Sequence, residues 1–432
     1  MHKMSKLQVG IYIGVIFITL IVVFIFLGVI PGLRQTSFST TIVMWGIFPE
    51  DDFKSALGAW QEENASISIV YVQKNPASYT TELLQAIAAG HVPDIMVLPD
   101  TLFHANQSNL SQMPSLFMTP REYSETFTGA ATSIFMQSDA IYGIPFALDP
   151  MVLYWNRDFF ASDAIATPPV TWDEFLLDAQ KLTKRTPDGN LIRAGAAMGL
   201  ASNIPQSTDI VSLLILQGGT SIIDPATRTV TIGESRLINQ IQSSPTETAL
   251  LFYADFARRE KTSYSWNHTF SPPEDAFSRE DLAMFIGRAS AYRSLAQRSA
   301  HISIGVSPVP QYKNASVKIN YANAFAFTVP LQSQQQHTAW RVATFFAKPD
   351  IVPLITNRIV LAPARRDVLG AGHSFPPSSV FYEEALRSRT WYDPDPARSS
   401  SILKNMIESV AAGREASLAA AEARTRLESL LK

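Results

Sequence analysis

The order of apolar and polar positions divides the chain into one uninterrupted apolar run near the start and a long alternation of strand-like and helix-like segments. From Val9 to Ile30 the run VGIYIGVIFITLIVVFIFLGVI carries no charge, with Lys3 and Lys6 before it and Pro31, Gly32 and Arg34 after it. As a helix it is about 33 Å long, enough to cross a hydrocarbon core of roughly 30 Å. After a polar linker at 36–41, the β-branched run 41–45 ends at Gly46, and Pro49 followed by Glu50, Asp51 and Asp52 predicts a helix start, where the dipole favours acids. Residues 66–72 predict a second strand, 78–90 a helix closed by Gly90, and 94–98 a third, apolar strand. This βαβαβ alternation predicts a parallel sheet covered by helices on both faces. Farther on the pattern predicts helices over 171–183, with Thr171 and Glu174 as a capping box, and over 246–261. It predicts strands over 302–309 and 324–329, and a helical tail over 399–432 interrupted at Gly413.

Composition narrows what such a chain does. With 432 residues and 46% hydrophobic composition it is long enough for two or three domains with real cores. The absence of cysteine excludes disulfides, thiolate metal sites, a cysteine nucleophile and a lipidated N-terminal cysteine. Basic residues on the short side of the apolar run favour a cytoplasmic N-terminus and an extracytoplasmic remainder. A single-pass anchor at 9–30, within an N-terminal segment 1–35, fits better than a cleaved signal peptide, because the run exceeds the usual h-region. The rest of the chain is acidic on balance, a poor match for a nucleic-acid backbone.

The search for catalytic motifs is negative for phosphate-binding loops, dinucleotide fingerprints, HExxH and the GxSxG elbow. The seven histidines are scattered, with no two spaced to share a metal on a helix, so no metal and no cofactor is expected. In parallel sheets, ligands bind beyond the carboxyl ends of the strands, which selects Trp45 to Phe48 and Pro99-Asp100-Thr101. An aromatic and a carboxylate at neighbouring strand ends suit a polyol: the ring stacks on the sugar's apolar face and the acid accepts its hydroxyl hydrogen bonds. Core packing for Trp45 and helix capping for Asp100 stand beside that reading. Asp100 and Asp149, each just past an apolar segment, are also the pair to name for glycoside hydrolysis.

Residues 142–160 read YGIPFALDPMVLYWNRDFF, followed by TWDEF at 171–175. Around them stand WGIFPEDDF, PDIMVLPD, LQGGTSIID, AFSREDLAMFIG, IGVSPVP, FFAKPD and APARRDVL, in that order apart from the central pair. This series, spanning about 40–432, resembles the extracellular solute-binding proteins of ABC importers, family 1, the sugar-type, maltose-binding-protein-like group. The resemblance implies an α/β bilobal periplasmic-binding-protein-like fold closing by a hinge, with lobe 1 at 37–147 and 309–348 and lobe 2 at 148–308 and 349–432. It implies a monomer that binds a small solute, a saccharide or related polar molecule, and hands it to ABC permease subunits, without being an enzyme. Trp45 matches the family's aromatic after the first strand, Asp100 and Thr101 its polar ligand loop, Asp149 its hinge-side carboxylate and Trp391 a stacking aromatic. Two departures are visible. Only Tyr292 stands near the family's missing stacking tryptophan, and Asn320-Tyr321-Ala322-Asn323 replaces Gly-Gly-Trp, which leaves Asn323 as the polar candidate there. With the lipid-attachment cysteine also absent, the apolar span takes its place as membrane anchor. Trp155, Asn156, Arg157 and Asp158 match the motif as turn-forming residues. A hydrolase using Asp100 and Asp149, and an envelope sensor or scaffold that has lost transport, are the alternatives.

Overall fold

β1 (Thr40–Gly46), α1 (Glu50–Glu63), β2 (Ile67–Gln73), α2 (Tyr79–Ala89), β3 (Ile95–Pro99) and α3 (Asp100–Asn106) open the first lobe. β1 lies between β2 and β3 and is parallel to both. α1 begins after Pro49 with three acids in its first turn and buries Phe53, Ala56 and Trp60. α2 ends at Gly90, whose φ of +68° is the left-handed cap that a side chain would strain.

The long β4 (Ile144–Asn156) follows, and then α4 (Trp172–Leu182), β5 (Leu191–Ala196), α5 (Ser207–Gln217), α6 (Pro245–Ala254), β6 (Leu282–Arg288), α7 (Ala291–Arg298) and β7 (Ile304–Ser307). The chain then makes β8 (Asn320–Thr328), α8 (Gln336–Phe346), α9 (Val352–Ile359), α10 (Ser378–Arg387), α11 (Pro396–Ala411) and α12 (Ala416–Glu428). The structure, a computed structural model, describes residues 15–19, 24, 40–224, 226–238, 241–373 and 377–431. The expected membrane span at 9–30 therefore lies mostly outside the described residues. Among the described residues no helix is long and apolar enough to cross a membrane.

One strand ties the two lobes. The first half of β4 pairs antiparallel with β8, Ile144 to Pro150 opposite Phe327 to Ala322. Its second half pairs with β6, Met151 to Trp155 opposite Arg288 to Met284, and with β7. The resulting sheet runs β2-β1-β3-β8-β4-β6-β5. β4 is buried along its length except at half-buried Trp155, as expected of a strand covered on both faces. The first-lobe core stacks Phe53 on Tyr71 (centroids 4.8 Å apart) and Phe146 on Phe327 (4.6 Å). In the second, Tyr154 stacks on Phe285 (5.0 Å) and Trp172 meets Phe252 edge-on (5.5 Å). Such pairs add about 0.5–1.5 kcal/mol beyond the burial of their area.

Two expectations are corrected. The helix expected over 246–261 stops at Ala254, because the Phe256 carbonyl accepts from the N–H groups of Ser265 (2.9 Å) and Trp266 (3.1 Å) and turns the chain away. The strand expected from 324 begins at Asn320, whose side chain donates to the Met151 carbonyl (2.7 Å) and to Glu384 (2.8 Å), so a polar residue is held inside the sheet. Beyond 349 the chain keeps contacts with elements of the first lobe. α9 packs on α1, Ala362 and Pro363 pair with Leu148 and Ala147, and Arg366 donates to the Phe127 carbonyl at 2.7 Å. Only the helical tail, α11 and α12, packs on the second lobe through α5 and α6, broken at Gly413 with φ +100°.

Candidate functional site

An open cleft of about 560 Å³ lies where the lobes face each other across the middle of β4. β3 ends in α3, which presents Thr101 and Leu102 to it. On β8, Tyr321 and Asn323, two residues apart, share the face toward the cleft, while Asn320 turns to Glu384 on the other. β6 contributes Arg288 at its carboxyl end, and α5 contributes Thr208, Asp209 and Ser212. The segment entering α11 closes the far side with Trp391, Asp393 and Asp395. A small recess with Asp100 and His104 continues from it beneath Trp391.

Electrostatics are concentrated at the hinge. Arg288 pairs with Asp209 at 2.7 Å. Burial by itself lowers the guanidinium pKa, but Asp209 and Asp149 outweigh burial and hold it above its usual value. Asp149 is 3% exposed, and its two oxygens accept the Ser290 N–H (2.8 Å) and hydroxyl (2.6 Å). Burial raises its carboxyl, while Arg288 and Ser290 pull the other way. Burial pushes Asp100 up to about 7 against Arg288 and the N–H groups of Thr101 and Ala324, and Asp393 up to about 6. The His104 imidazole is pressed down to about 4 by burial and is neutral at pH 7. Trp391 Nε1, Asn323 Oδ1 and His104 Nδ1 are buried without a hydrogen-bond partner. A buried polar atom left unmatched costs about 1–3 kcal/mol, which a bound molecule with hydroxyl or amino groups relieves.

Of the residues singled out from sequence, Thr101, Asn323 and Trp391 line this cleft, and Asp100 lies in its recess. Trp45, Phe48, Tyr292 and Asp149 are not in its lining. Trp45 closes β1 with the Lys74 ammonium 3.7 Å above its ring, so that face is already covered. Phe48 joins the aromatic cluster of Phe53, Phe146 and Phe325. Tyr292, on α7, meets Phe381 edge-on at 6.3 Å. Asp149 holds the Ser290 turn, each of its oxygens accepting one hydrogen bond from Ser290. Arg288, Asp209 and Asp393 escaped the sequence reading. The signal for the first two was present, since each is the lone charge in an apolar run, LAMFIGR and STDIVSLLILQ. Among the described residues no group of three or more histidines and acids is placed to hold a metal ion.

Two α/β lobes hinged on a shared strand around a polar cleft define a protein that closes on a small solute. The chain belongs to the bacterial extracellular solute-binding protein family, whose model matches residues 49–352. A binding protein of Brucella abortus (strain 2308) is 25% identical over 131 residues, 30% of this chain, and the chain spans about a third of the length of the curated relatives it matches. Solved structures share the fold. An ABC substrate-binding protein from Listeria monocytogenes in complex with cycloalternan is 17% identical with a TM-score of 0.69, covering 91% of this chain and 99% of the other. A cyclic alpha-maltosyl-1,6-maltose binding protein from Arthrobacter globiformis is 14% identical at 0.75, with coverage of 91% and 99%. UgpB from Mycobacterium tuberculosis in complex with glycerophosphocholine is 16% identical at 0.71, with coverage of 90% and 98%.

Proposed function

We propose that this chain is a solute-binding protein of an ABC importer, tethered to the cell membrane through residues 9–30, that closes its two lobes around a carbohydrate or related polyhydroxylated solute. The carrying observation is the hinge cleft in which a buried acceptor, Asn323 Oδ1, and a buried donor, Trp391 Nε1, both stand unmatched. A sugar hydroxyl, donor and acceptor at once, satisfies either atom, and the indole offers an apolar face to the ring. Thr101, Asp209 and Arg288 complete the polar lining. The cycloalternan held by the Listeria monocytogenes protein and the cyclic alpha-maltosyl-1,6-maltose bound by the Arthrobacter globiformis protein, which share the fold, support the same solute class.

Mechanism follows from where the groups sit. Thr101, Tyr321 and Asn323 come from the first lobe, Asp209 and Arg288 from the second, so a solute touching both sets is bound tighter closed than open. Its differential affinity shifts the population toward closure, and the permease reads that state. No covalent step is required.

The test is titration of the full chain in detergent micelles with mono- to trisaccharides and polyols, followed by tryptophan fluorescence and by small-angle scattering. Saturable binding with a smaller radius of gyration is expected, and replacement of Asn323 by leucine lowers affinity about tenfold while the fold persists. Binding without compaction removes the closure mechanism, and chromatographic appearance of cleaved saccharide turns the reading to a hydrolase.

A further inference from the structure

The cleft holds more negative charge than a neutral sugar requires. Among the described residues Arg288 is the single cation in its lining, and it is already paired with Asp209 at 2.7 Å. Asp149 and Asp100 surround the same guanidinium from the hinge and the recess. Across the cleft stand Asp393 and Asp395, which no cleft cation balances. Asp393 accepts the Asp395 N–H at 3.2 Å and has no ion-pair partner among the described residues. Asp395 caps α11 by accepting the Arg398 N–H at 3.1 Å, and the Arg398 guanidinium, mostly exposed, reaches it only at 3.9 Å. His104 beneath adds no positive charge, since burial keeps its imidazole neutral.

A second observation points the same way. Asn323 and Trp391, 8% and 7% exposed, line the cleft together, and the unmatched atom of Asn323 is an acceptor. The acids are spread over opposite walls, and no group of three or more among the described residues is placed to hold a metal ion, so their surplus charge does not describe a metal site. The unmatched Asn323 acceptor and Trp391 donor, in the same cleft as these carboxylates, call for a molecule that brings hydroxyl groups to them as well as charge to the acids. A cleft lined by one sign of charge also raises the local concentration of the opposite sign.

We propose that the solute carries a positive charge: a polyhydroxylated molecule bearing an amino group, whose ammonium lies against Asp393 and Asp395 while its hydroxyl groups meet Asn323 and Trp391. This rests on the solute-binding reading above and narrows it from polar solutes to cationic ones.

The experiment titrates the full chain in detergent at pH 7.5 by calorimetry with a matched panel. Glucose and maltose are each paired with the 6-amino-6-deoxy counterpart, so a pair differs only in the ammonium. The amino member is expected to bind roughly tenfold tighter than its neutral partner, the size of one charge-assisted hydrogen bond. That preference is expected to shrink between 20 and 300 mM salt and to vanish in Asp393→Asn. Asp395→Asn, which keeps a capping side chain on α11, serves as the second variant and is expected to reduce the preference as well. A neutral member that binds as well as its amino partner, or a preference untouched in both variants, overturns the cationic assignment and leaves the solute-binding reading standing. Silence of the whole panel, from a sample that melts cooperatively, overturns both.

Discussion

Asp149 shows how a residue can sit at the hinge and serve the backbone more than the cleft. Its carboxylate takes both the N–H and the hydroxyl of Ser290, fixing the turn between β6 and α7 against the midpoint of β4. Hydrogen bonds to a buried charged group are worth about 1.5–3 kcal/mol. Ser290→Ala removes one of the two donors, and urea denaturation is expected to show a loss of about that size with an unchanged m value. The sequence pointed to Asp149 through a resemblance, and the contact that explains it lies 141 residues away. Thr101 was selected as a strand-end residue, Trp391 through the resemblance and Asn323 where the sequence departs from it, and all three line the cleft. Arg288 and Asp209 were each visible as lone charges, but their partnership, 79 residues apart, belongs to the packed molecule. Trp45 was selected because it ends a strand. The strand-end rule picks an end of the sheet and not a strand along it: β1 is parallel to β3 but lies one strand farther from β4, and Lys74, two residues past its neighbour Val72 on β2, covers the ring instead.

Elements whose ends are decided locally were the readable ones. α4 starts where Thr171 and Glu174 form the expected capping box, with the Glu174 N–H donating to Thr171 Oγ1 at 3.2 Å. Thr171→Ala is expected to cost about 1 kcal/mol, read as a lower midpoint in thermal melting. α6 was overextended because its end is set by Ser265 and Trp266, outside any local window. β8 was shortened because Asn320 breaks the apolar run, and its satisfaction depends on Glu384, 64 residues on. Contacts with α1 and β4, distant in sequence, hold α9 and Ala362–Pro363 in the same way, and no local pattern announces them.

At the scale of the whole molecule, several carboxyls are held above their ordinary range by burial: Asp100 at about 7, Glu384 at about 7 and Asp393 at about 6. A native carboxyl with a raised pKa binds its proton at a pH where the unfolded chain has released it. Its contribution to stability therefore grows as pH falls from about 8 through 7 and 6 toward the unfolded value near 4, and is lost in the opposite direction. Carboxyls with lowered pKa, such as Asp163 and Asp367, act only below that window. The unliganded chain is thus expected to melt at a higher temperature at pH 5.5 than at pH 8.0. A cationic solute is expected to bind more weakly at the lower pH, as Asp100 and Asp393 gain protons at a cleft whose charge they share with Arg288, Asp209, Asp149 and Asp395.

The sheet of the first lobe is assembled from strands made at very different times. β1, β2 and β3 emerge early in synthesis, but the strand that closes beside β3 is β8, and Thr328 reaches back across 232 residues to bond the Met96 carbonyl. Until that length has been made, one edge of β3 stays open and the lobe lacks Phe327, the partner on which Phe146 stacks. A nascent chain of this order leaves its first lobe incomplete for as long as the residues between β3 and β8 are being made. That is the condition under which a polypeptide can still be threaded through a membrane before its lobes close on anything.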